Sequence, residues 1–340
     1  MRVEELIRAA RERGASDIHL AAEKPPFSRI DGELSPMSSE GVSATELAAF
    51  LETRLEKDAF AGLSRRGFVD VALHATDVGT LRVHAFTAVG GLRVALRLLP
   101  VAIPRLDELD LPPIIGRLAV RRTGLVLVVG PTGTGKTTLL ASMVDLLNRA
   151  HPRHVVILED PIEYVHADGR CVVAQRAIGD EATCLANAIF SVLRADPDVI
   201  VIGELREIES MRNALAASET GHLVLASLHT GGASQALERI IDAFPVGGRD
   251  QVRVQLAQTL AGIIALRLVA RARGGRRAVA EILIATDAVR NLIREGKIHQ
   301  LQTAMQTGRS VGMQTLEMHL GMLQERGEIT SAAAQACLQS

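Results

Sequence analysis

The chain has 340 residues, 47% of them hydrophobic, which is enough for about two domains with substantial cores. Its 38 lysines and arginines nearly balance its 39 aspartates and glutamates, so the net charge gives no general attraction to nucleic acid or to an anionic membrane. With no tryptophan and one tyrosine, the chain also lacks the aromatic side chains on which single-stranded bases stack. Nucleic acid is therefore not an expected partner.

The cysteines and the hydropathy pattern indicate a cytoplasmic protein. Cys171, Cys184 and Cys337 form neither a CxxC pair nor a disulfide framework, which favours a reducing compartment. The first residues mix acidic and basic side chains, a pattern that is not typical of a signal peptide. No apolar run reaches the ~20 residues that a transmembrane helix requires.

The first 99 residues show a mixed α+β pattern and are expected to form one domain. Apolar spacing predicts a helix from Val3 that ends by Gly14, and Ser43 with Glu46 forms a capping box for a second helix through about Lys57. The predicted strands are 16–21, 27–30, 68–75, 80–86 and 92–98, the last three antiparallel and the first two of those joined by a turn at 77–79.

The chain changes character after a proline-containing stretch. Prolines interrupt residues 100–113, so this stretch is predicted to be a linker or hinge. Beyond it, apolar strands alternate with amphipathic helices, which is typical of a parallel sheet covered by helices on both faces. The predicted strands are 124–129, 154–158, 199–202 and 222–228, and the predicted helices are 136–148, 182–193 and 208–218. This core is expected to span 114–245, with a mostly helical region over 246–340.

The strongest motif is GPTGTGKT at residues 130–137, here called the phosphate loop. It matches GxxxxGK[ST] and stands between a predicted strand and a predicted helix, as ATP-binding loops do. Its glycines let backbone N–H groups surround phosphate oxygens, and the helix N-terminus adds a partial positive charge. Lys136 is expected to reach the β- and γ-phosphates of ATP and Thr137 to ligate Mg²⁺. The predicted nucleotide-binding residues are Gly130, Pro131, Thr132, Gly133, Thr134, Gly135, Lys136, Thr137 and Thr138.

Acidic residues follow two of the predicted strands. The first cluster is EDPIE at 159–163, and the second is Glu204, which ends the run VIVIG. Because ligands bind at the carboxyl ends of such strands, both could face the phosphate loop. His222 and His229 lie near the ends of a further predicted strand, and a neutral imidazole can donate to a phosphate. For each of these residues the pattern alone leaves a structural role open, as an exposed loop carboxylate, a helix cap or a partly buried histidine.

The whole set of motifs resembles the PilT-type twitching-motility ATPases, within the superfamily of secretion ATPases. The similar segments are SDIHL at 16–20, EDPIEYVH at 159–166, DPDVIVIGE at 196–204, TGHLVLASLHT at 220–230, AVRNLIRE at 288–295 and GMQTL at 312–316. The resemblance covers nearly the whole chain. It implies an α/β protein in which an N-terminal PAS-like α+β domain is linked to a C-terminal RecA-like P-loop ATPase domain with a helical C-terminal region.

The resemblance also implies roles for residues of the phosphate loop and of the two acidic clusters. Lys136 and Thr137 would hold phosphate and Mg²⁺. Glu163 would polarise the attacking water, and Glu204 would support the metal-bound site. Members of this family work as homo-hexameric rings, in which the N-terminal domain of one subunit packs over the nucleotide of another.

Two histidines and two arginines gain roles in the same way. His222 and His229 would contact or sense the γ-phosphate and the adjoining subunit. Arg82 and Arg97 fall where the family's N-terminal domain supplies arginines, and an arginine finger stabilises charge on the transferring phosphoryl group. A solvated strand face explains two strand arginines equally well.

The C-terminal motif and several departures from the family pattern qualify the resemblance. Residues 288–295 suit an ordinary core-facing helix, whereas the family suggests a role in retraction. LRE at 205–207 stands where MRD is usual, and Gly-Gly at 231–232 stands where Thr and Ser are usual. Asn is usual at Ala174, and another Arg near Phe190. None of these changes removes a catalytic group, and together they suggest a divergent paralogue.

The leading hypothesis is a hexameric motor that hydrolyses ATP and drives type IV pilus retraction. Its expected partners are an inner-membrane pilus platform protein and a paralogous retraction ATPase, which would place it in the cytoplasm, peripheral to the inner membrane. A pilus-assembly or type II secretion ATPase is the first alternative, although such relatives usually carry a longer N-terminal region and a four-cysteine zinc insert, and three cysteines cannot supply that site. A nucleic-acid translocase and a non-hydrolysing regulatory subunit are the others.

Overall fold

The computed structural model describes residues 2–30, 32–55, 57–75, 78–99, 102–178 and 185–339. The chain divides into two compact units. The first comprises Met1–Ala102 together with the short segment Pro161–Val165, and the second comprises Ile103–Asp160 and His166–Ser340. Each unit has its own sheet and its own hydrophobic core.

The first unit is built on a six-stranded antiparallel sheet. Its strands are β1 (Asp17–Ala21), β2 (Lys24–Ile30), β3 (Glu33–Pro36), β4 (Phe68–Ala75), β5 (Gly79–Ala88) and β6 (Gly91–Leu98). Their order across the sheet is β3-β2-β1-β6-β5-β4. Its helices are α1 (Val3–Glu12), α2 (Ala44–Arg54) and α3 (Lys57–Arg66).

Alternation along the strands gives this sheet one apolar and one polar face. In β5, Leu81, Val83 and Ala85 are fully buried, and they pack with apolar residues of α1 and α2. Arg82 and His84 alternate with them and therefore lie on the opposite face. The helices thus cover one face of the sheet, and charged side chains occupy the other.

The capping box predicted for the second helix is confirmed, but its predicted end is wrong. The Ser43 hydroxyl accepts a hydrogen bond from the Glu46 N–H at 3.2 Å. The helix ends at Arg54 because Leu55 adopts an extended conformation, with φ −97° and ψ 151°. Lys57 then begins a separate helix, α3, which was not predicted.

The antiparallel strands 68–75, 80–86 and 92–98 are confirmed within a residue or two of their observed ends. Strand β3 was missed, since all four of its residues are exposed and show no alternation. The turn predicted at 77–79 begins at Asp77, which lies outside the described residues.

From Ile103 onward, the proline-containing stretch belongs to the second unit. It contains one turn of 3₁₀ helix, Leu106–Leu109, and leads into helix α4 (Ile114–Ala119). The Ser142 hydroxyl donates to the carbonyl of Pro104 at 2.8 Å. Pro100 lies outside the described residues, and a hinge at 100–113 stays a prediction.

The second unit contains a seven-stranded sheet. Its strands are β7 (Gly124–Val129), β8 (His154–Glu159), β9 (Val172–Ala177), β10 (Val199–Ile202), β11 (Leu223–Leu228), β12 (Leu260–Ala270) and β13 (Arg276–Ile284). The order is β13-β12-β7-β11-β10-β8-β9, and all neighbours are parallel except β12 and β13.

Helices cover both faces of this sheet, as the sequence predicts. They are α5 (Lys136–Ala150), α6 (Leu185–Val192), α7 (Ile208–Glu219), α8 (Ala233–Ala243), α9 (Arg249–Thr259), α10 (Asp287–Arg294), α11 (Leu301–Thr307), α12 (Leu316–Glu325) and α13 (Ser331–Gln339). Every residue of β7, β10 and β11 is buried, because two hydrophobic clusters enclose these strands from opposite faces. None of the described helices combines the length and apolar character that crossing a membrane requires.

Strands β9, β12 and β13 of this sheet were not predicted. Helices are the commonest elements after Gly248, as expected, but β12 and β13 form a long antiparallel pair within that region. The run LAGIIALRLVA of β12 is almost wholly apolar and follows α9 without a break, so periodicity could not distinguish it from helix. The predicted helix 182–193 is observed as α6, and residues 182–184 lie outside the described part of the chain.

Candidate nucleotide-binding site

The phosphate loop connects β7 to α5, and its glycines adopt backbone conformations that other residues rarely reach. Gly130, Gly133 and Gly135 have φ values of 149°, 80° and 94°. A Cβ atom on Gly130 would lie 2.5 Å from the carbonyl oxygen of Leu266 and 2.7 Å from the hydroxyl of Thr134. Only glycine therefore fits at Gly130.

Helix α5 begins inside this loop without a side-chain cap. Its N-cap residue is Gly135, and no side chain accepts a hydrogen bond there. Thr137 and Thr138 follow in the first turn, where the backbone N–H groups have no partners within the helix. Such an end attracts anions through its N–H groups and its partial positive charge. The residues present therefore fit the phosphates of a nucleotide.

The side chain of Lys136 folds over the phosphate loop. It is only 7% exposed, and its Nζ donates to the carbonyls of Gly130 at 2.8 Å and Pro131 at 2.9 Å. The same Nζ lies 3.5 Å from Nδ1 of His229. The ammonium group is thus held inside the loop, where a phosphate oxygen would compete with two carbonyls for it.

Glu204 and His229 form an ion-pair geometry next to the loop. His229 Nε2 lies 3.1 Å from Glu204 Oε2, and Arg206 Nη2 lies 2.7 Å from the same oxygen. Partial burial raises the pKa of Glu204, but the hydrogen bond from Arg206 and the charges of His229 and Arg206 lower it more, so that it lies below its ordinary value. Glu204 is therefore ionised at neutral pH.

The chemistry of its neighbours assigns the tautomer of His229. An ionised Glu204 can only accept, so Nε2 carries the hydrogen. The Lys136 ammonium can only donate, so Nδ1 accepts, and the hydroxyl of Thr132, 3.3 Å from Nδ1, can donate to the same atom. In its neutral form, with the hydrogen on Nε2, His229 connects Glu204 to the phosphate loop.

The order of the strands brings these side chains together. Strands β10, β11 and β7 are adjacent and parallel, with Ile202 paired to Ala226 and Leu228 paired to Val129. Glu204, His229 and the phosphate loop all follow the carboxyl ends of these strands, where ligands bind in open α/β sheets. The Ser227 hydroxyl donates to the Gly203 carbonyl, and the Leu205 N–H donates to the Ser227 carbonyl at 2.9 Å, which fixes the residues on either side of Glu204.

His222 lies at the amino end of β11, whereas His229 follows the carboxyl end of the same strand. It precedes the six-residue strand β11, which separates the two histidines by about 20 Å at ~3.3 Å per residue. Its Nδ1 lies 3.0 Å from the carbonyl of Ala217 and 3.1 Å from the hydroxyl of Thr220, at the end of α7. Within one chain, His222 therefore does not contact a phosphate in this loop, which corrects that part of the expectation. A contact to an adjoining subunit stays a prediction.

The two arginines of the first unit are paired with carboxylates. Arg82 donates to Asp70 through Nε and Nη2, both at 3.1 Å. Arg97 Nε donates to Asp17 at 2.9 Å, although the Arg97 side chain is 61% exposed. Burial raises the pKa of Asp17, while Ser16 and Arg97 lower it more, so that it lies below its ordinary value. Both pairs lie on the polar face of the sheet.

One predicted catalytic residue belongs to the first unit, and one partner of Glu204 was missed. Glu163 lies in Pro161–Val165, the segment that groups with the first unit, so its role stays a prediction. Arg206 was not predicted to contact Glu204, and its position two residues further along is the only signal in the sequence. In the described ranges, no three His, Cys, Asp or Glu side chains gather as in a metal site. The predicted Mg²⁺ site depends instead on the Thr137 hydroxyl, on Glu204 and on phosphate oxygens.

The fold and the loop define the class of protein as an α/β protein built to hold a phosphate-bearing ligand at the carboxyl edge of a parallel sheet. Residues 2–326 match the family model described as "Type II/IV secretion system protein", and the chain belongs to that family. It is 44% identical over 317 residues to the "Uncharacterized protein YggR" of Escherichia coli K12, which covers 93% of this chain and 96% of the relative.

A pilus protein is similarly close. The chain is 39% identical over 340 residues to the "Type IV pilus retractation ATPase PilT" of Pseudomonas aeruginosa, covering 98% of this chain and 97% of the relative. The crystal structure of the pilus retraction motor PilT with bound ADP matches with a TM-score of 0.91 and 39% identity, covering 99% of this chain and 97% of that one. The resemblance to the PilT-type ATPases and the mixed α/β fold class are thereby confirmed.

Proposed function

We propose that the chain is an ATP-hydrolysing motor that drives type IV pilus retraction, the process that powers twitching motility. The observation that carries the proposal is the convergence of Lys136, His229 and Glu204 at one phosphate loop. It occurs in a chain whose similarity to a pilus retraction motor runs from end to end. That convergence supplies what a nucleotide motor needs, a phosphate cradle joined to groups that can respond to its occupant.

The phosphate loop would hold the triphosphate of ATP. Its glycine-rich backbone and the first turn of α5, with Thr137 and Thr138, would surround the phosphate oxygens, and Lys136 would exchange its carbonyl partners for the β- and γ-phosphates. Mg²⁺, when bound, would neutralise phosphate charge, with the Thr137 hydroxyl as a ligand and Glu204 as its support.

The remaining polar groups would act on the attacking water and on the response to the nucleotide. Glu163 would orient and polarise the water, a positioning role that phosphoryl transfer requires. When Lys136 binds phosphate, it would no longer donate to Nδ1 of His229. The hydrogen bond between Nε2 of His229 and Glu204 would then change in response. His229 would therefore sense whether the loop is occupied.

A ring of six identical subunits would complete each site. Arg82 and Arg97 would exchange Asp70 and Asp17 for the phosphate of a neighbouring subunit, and His222 would act at a subunit contact. The ring would act on a pilus platform protein of the inner membrane, alongside a paralogous retraction ATPase. We place it in the cytoplasm, peripheral to that membrane.

The test is steady-state ATPase activity of the purified protein with oligomer mass measured in parallel. Wild type would be compared with Lys136→Ala and Glu163→Gln, and with Glu209→Gln as a control, because Glu209 is exposed on α7 and pairs only with Arg212 in the described part of the chain. We expect Mg²⁺-dependent turnover from a hexamer, lost in the first two variants and kept in the control. A hexamer that binds ATP without turnover would show a non-hydrolysing subunit instead.

A further inference from the structure

A cavity of about 270 Å³ lies at the edge of the second sheet opposite the phosphate loop. Arg121 and Thr123 line it just before β7, Ser218 and Glu219 line it at the end of α7, Thr259 lines it at the end of α9, and Arg290 lines it from α10. Its volume is below the roughly 300–1,000 Å³ typical of pockets for drug-sized ligands. It therefore suits a small ion or a single side chain.

Two guanidinium groups give this cavity a positive charge. Burial lowers the pKa of Arg290, the charge of Arg121 lowers it further, and the charge of Asp287 raises it, so Arg121 is close enough for the two cations to act on each other. Among the described residues that line the cavity, Glu219 is the one carboxylate, and it accepts a hydrogen bond from Gln255 Nε2 at 3.0 Å. Two arginines on the lining of one cavity favour an anionic ligand between them.

The arginine of α10 is fixed in place by backbone carbonyls. Arg290 donates to the carbonyls of Ala285 at 3.1 Å, Gln258 at 2.8 Å and Leu260 at 2.9 Å, and also to that of Ala257. These bonds use four of its five N–H groups. One donor therefore remains in a group that cannot turn away.

The second arginine has a fixed backbone and an available side chain. Arg153 donates to the carbonyls of Arg121 at 2.5 Å and Val120 at 2.9 Å. Over the ranges that the structure describes, the Arg121 guanidinium itself has no hydrogen bond or ion pair. Its planar fork matches the paired oxygens of a carboxylate or a phosphate.

We propose that this cavity binds a small oxyanion, a phosphate or a carboxylate, between Arg121 and Arg290. A ligand there would touch the start of β7, whose other end leads into the phosphate loop, and the end of α7, whose first residue follows shortly after Glu204 and Arg206. The carboxylate would be the side chain of a partner protein, and the phosphate would be free in solution. The proposal does not depend on ATP hydrolysis by this chain.

The test is a thermal-shift titration of the full-length chain with sodium phosphate and, separately, with succinate at constant ionic strength. A Lys136→Ala background would reduce phosphate binding at the loop. Arg121→Gln removes the available guanidinium, and Arg122→Gln is the matched control, since it neutralises the adjacent exposed arginine, which does not line the cavity.

We expect a saturable rise in melting temperature in the parent and in Arg122→Gln, with an apparent affinity about tenfold or more weaker in Arg121→Gln. A response to phosphate alone would identify a phosphate site, and a response to succinate would identify a site for an acidic side chain. Equal responses in the two arginine variants, or no saturable response in the parent, would overturn the proposal.

Discussion

Nε2 of His229 lies 3.1 Å from Oε2 of Glu204. This contact joins the residue that follows β11 to a residue just beyond the end of the neighbouring strand β10. The other ring nitrogen of His229, Nδ1, lies 3.5 Å from Nζ of the phosphate-loop lysine. Because a neutral imidazole has one donor and one acceptor, a change of partner at one nitrogen alters the bond at the other. The pair can therefore transmit the state of the loop to β10.

Glu204→Gln should keep nucleotide binding and lose most turnover. The substitution preserves the shape of the side chain but removes the charge that accepts from both His229 and Arg206. We expect kcat to fall about 100-fold or more, as for removal of a strong electrostatic contact in an active site, with ADP affinity within about threefold of wild type. Steady-state kinetics and ADP calorimetry measure the two quantities, and normal turnover would remove Glu204 from the proposed metal site.

His229→Gln should act through the same contact. We expect kcat to fall about 10- to 100-fold, the range for loss of a residue that orients another one in a site. Because the two residues touch, the double variant should be less impaired than the product of the single effects. A double-mutant cycle on kcat measures this coupling, and independent effects would show that the 3.1 Å contact has no role in turnover.

Part of the candidate site could be predicted from the sequence pattern alone. The phosphate loop and the ends of β7, β10 and β11 were predictable, because buried parallel strands form continuous apolar runs and the loop motif has a fixed backbone chemistry. The contact between Glu204 and His229 was not, since it depends on which strands are neighbours. The distance between His222 and the loop within one chain was not predictable either, because residues at the two ends of one short strand look equally close to a site in the sequence.

The fold was less predictable where strands lack alternation. Strand β12 is buried over most of its length, so its apolar run has neither helical nor strand period. The ion pairs of Arg82 and Arg97 required knowledge of strand pairing, since Arg97 lies opposite Asp17 across β1 and β6, 80 residues apart in the chain.

Mixed rings should show whether Arg97 acts on a neighbouring subunit. Lys136→Ala and Arg97→Ala subunits should each be inactive as pure rings. If Arg97 acts in trans, an Arg97→Ala subunit retains Lys136 and receives Arg97 from a Lys136→Ala neighbour, so co-assembled rings should regain activity. We expect roughly one quarter of wild-type turnover at equal amounts with random assembly, when about one site in four is complete.

The measurement is ATPase activity of the two variants unfolded, mixed and refolded together, compared with the same variants refolded separately and combined without exchange. Separately refolded rings control for residual activity of each variant. Equal activity in the mixed and the unmixed samples would place Arg97 in its own chain's site or outside the site.

Acid should destabilise the second unit through His166. Burial lowers the pKa of this imidazole from 6.5 to about 4, so the unfolded chain binds a proton before the folded chain does. The free energy of unfolding should therefore be constant above about pH 7 and fall as the pH drops from about 6.5 towards 4, by about 2 kcal/mol between roughly pH 7.5 and pH 5. Chemical denaturation followed at both pH values measures this difference.

His166→Gln should remove most of that pH dependence, because glutamine does not titrate. Its backbone N–H can still donate to Gln175, as His166 does at 2.8 Å. His299→Gln is the control, since His299 is exposed and its replacement should leave the slope unchanged. An undiminished slope in His166→Gln would assign the acid sensitivity to other groups.

Arg290→Gln should destabilise the second unit. Within the motif AVRNLIRE, the fully buried Val289 and Ile293 pack α10 into the core. Arg290 then bonds to three carbonyls around the end of α9 and to the carbonyl of Ala285, just before α10. Glutamine is too short to replace these bonds and leaves partly buried carbonyls without donors, so we expect a loss of about 2–3 kcal/mol and a melting temperature lower by about 5–10 °C. Arg294→Gln, on the same helix, removes an exposed bond to Asn291, the one hydrogen bond of this side chain within the described residues, and should change stability by less than about 0.5 kcal/mol. Thermal and chemical denaturation of both variants measure these changes in stability. Equal stability of the two variants would mean that the carbonyls freed by Arg290→Gln bond well to water. This part of the motif would then be maintained for a contact outside the chain.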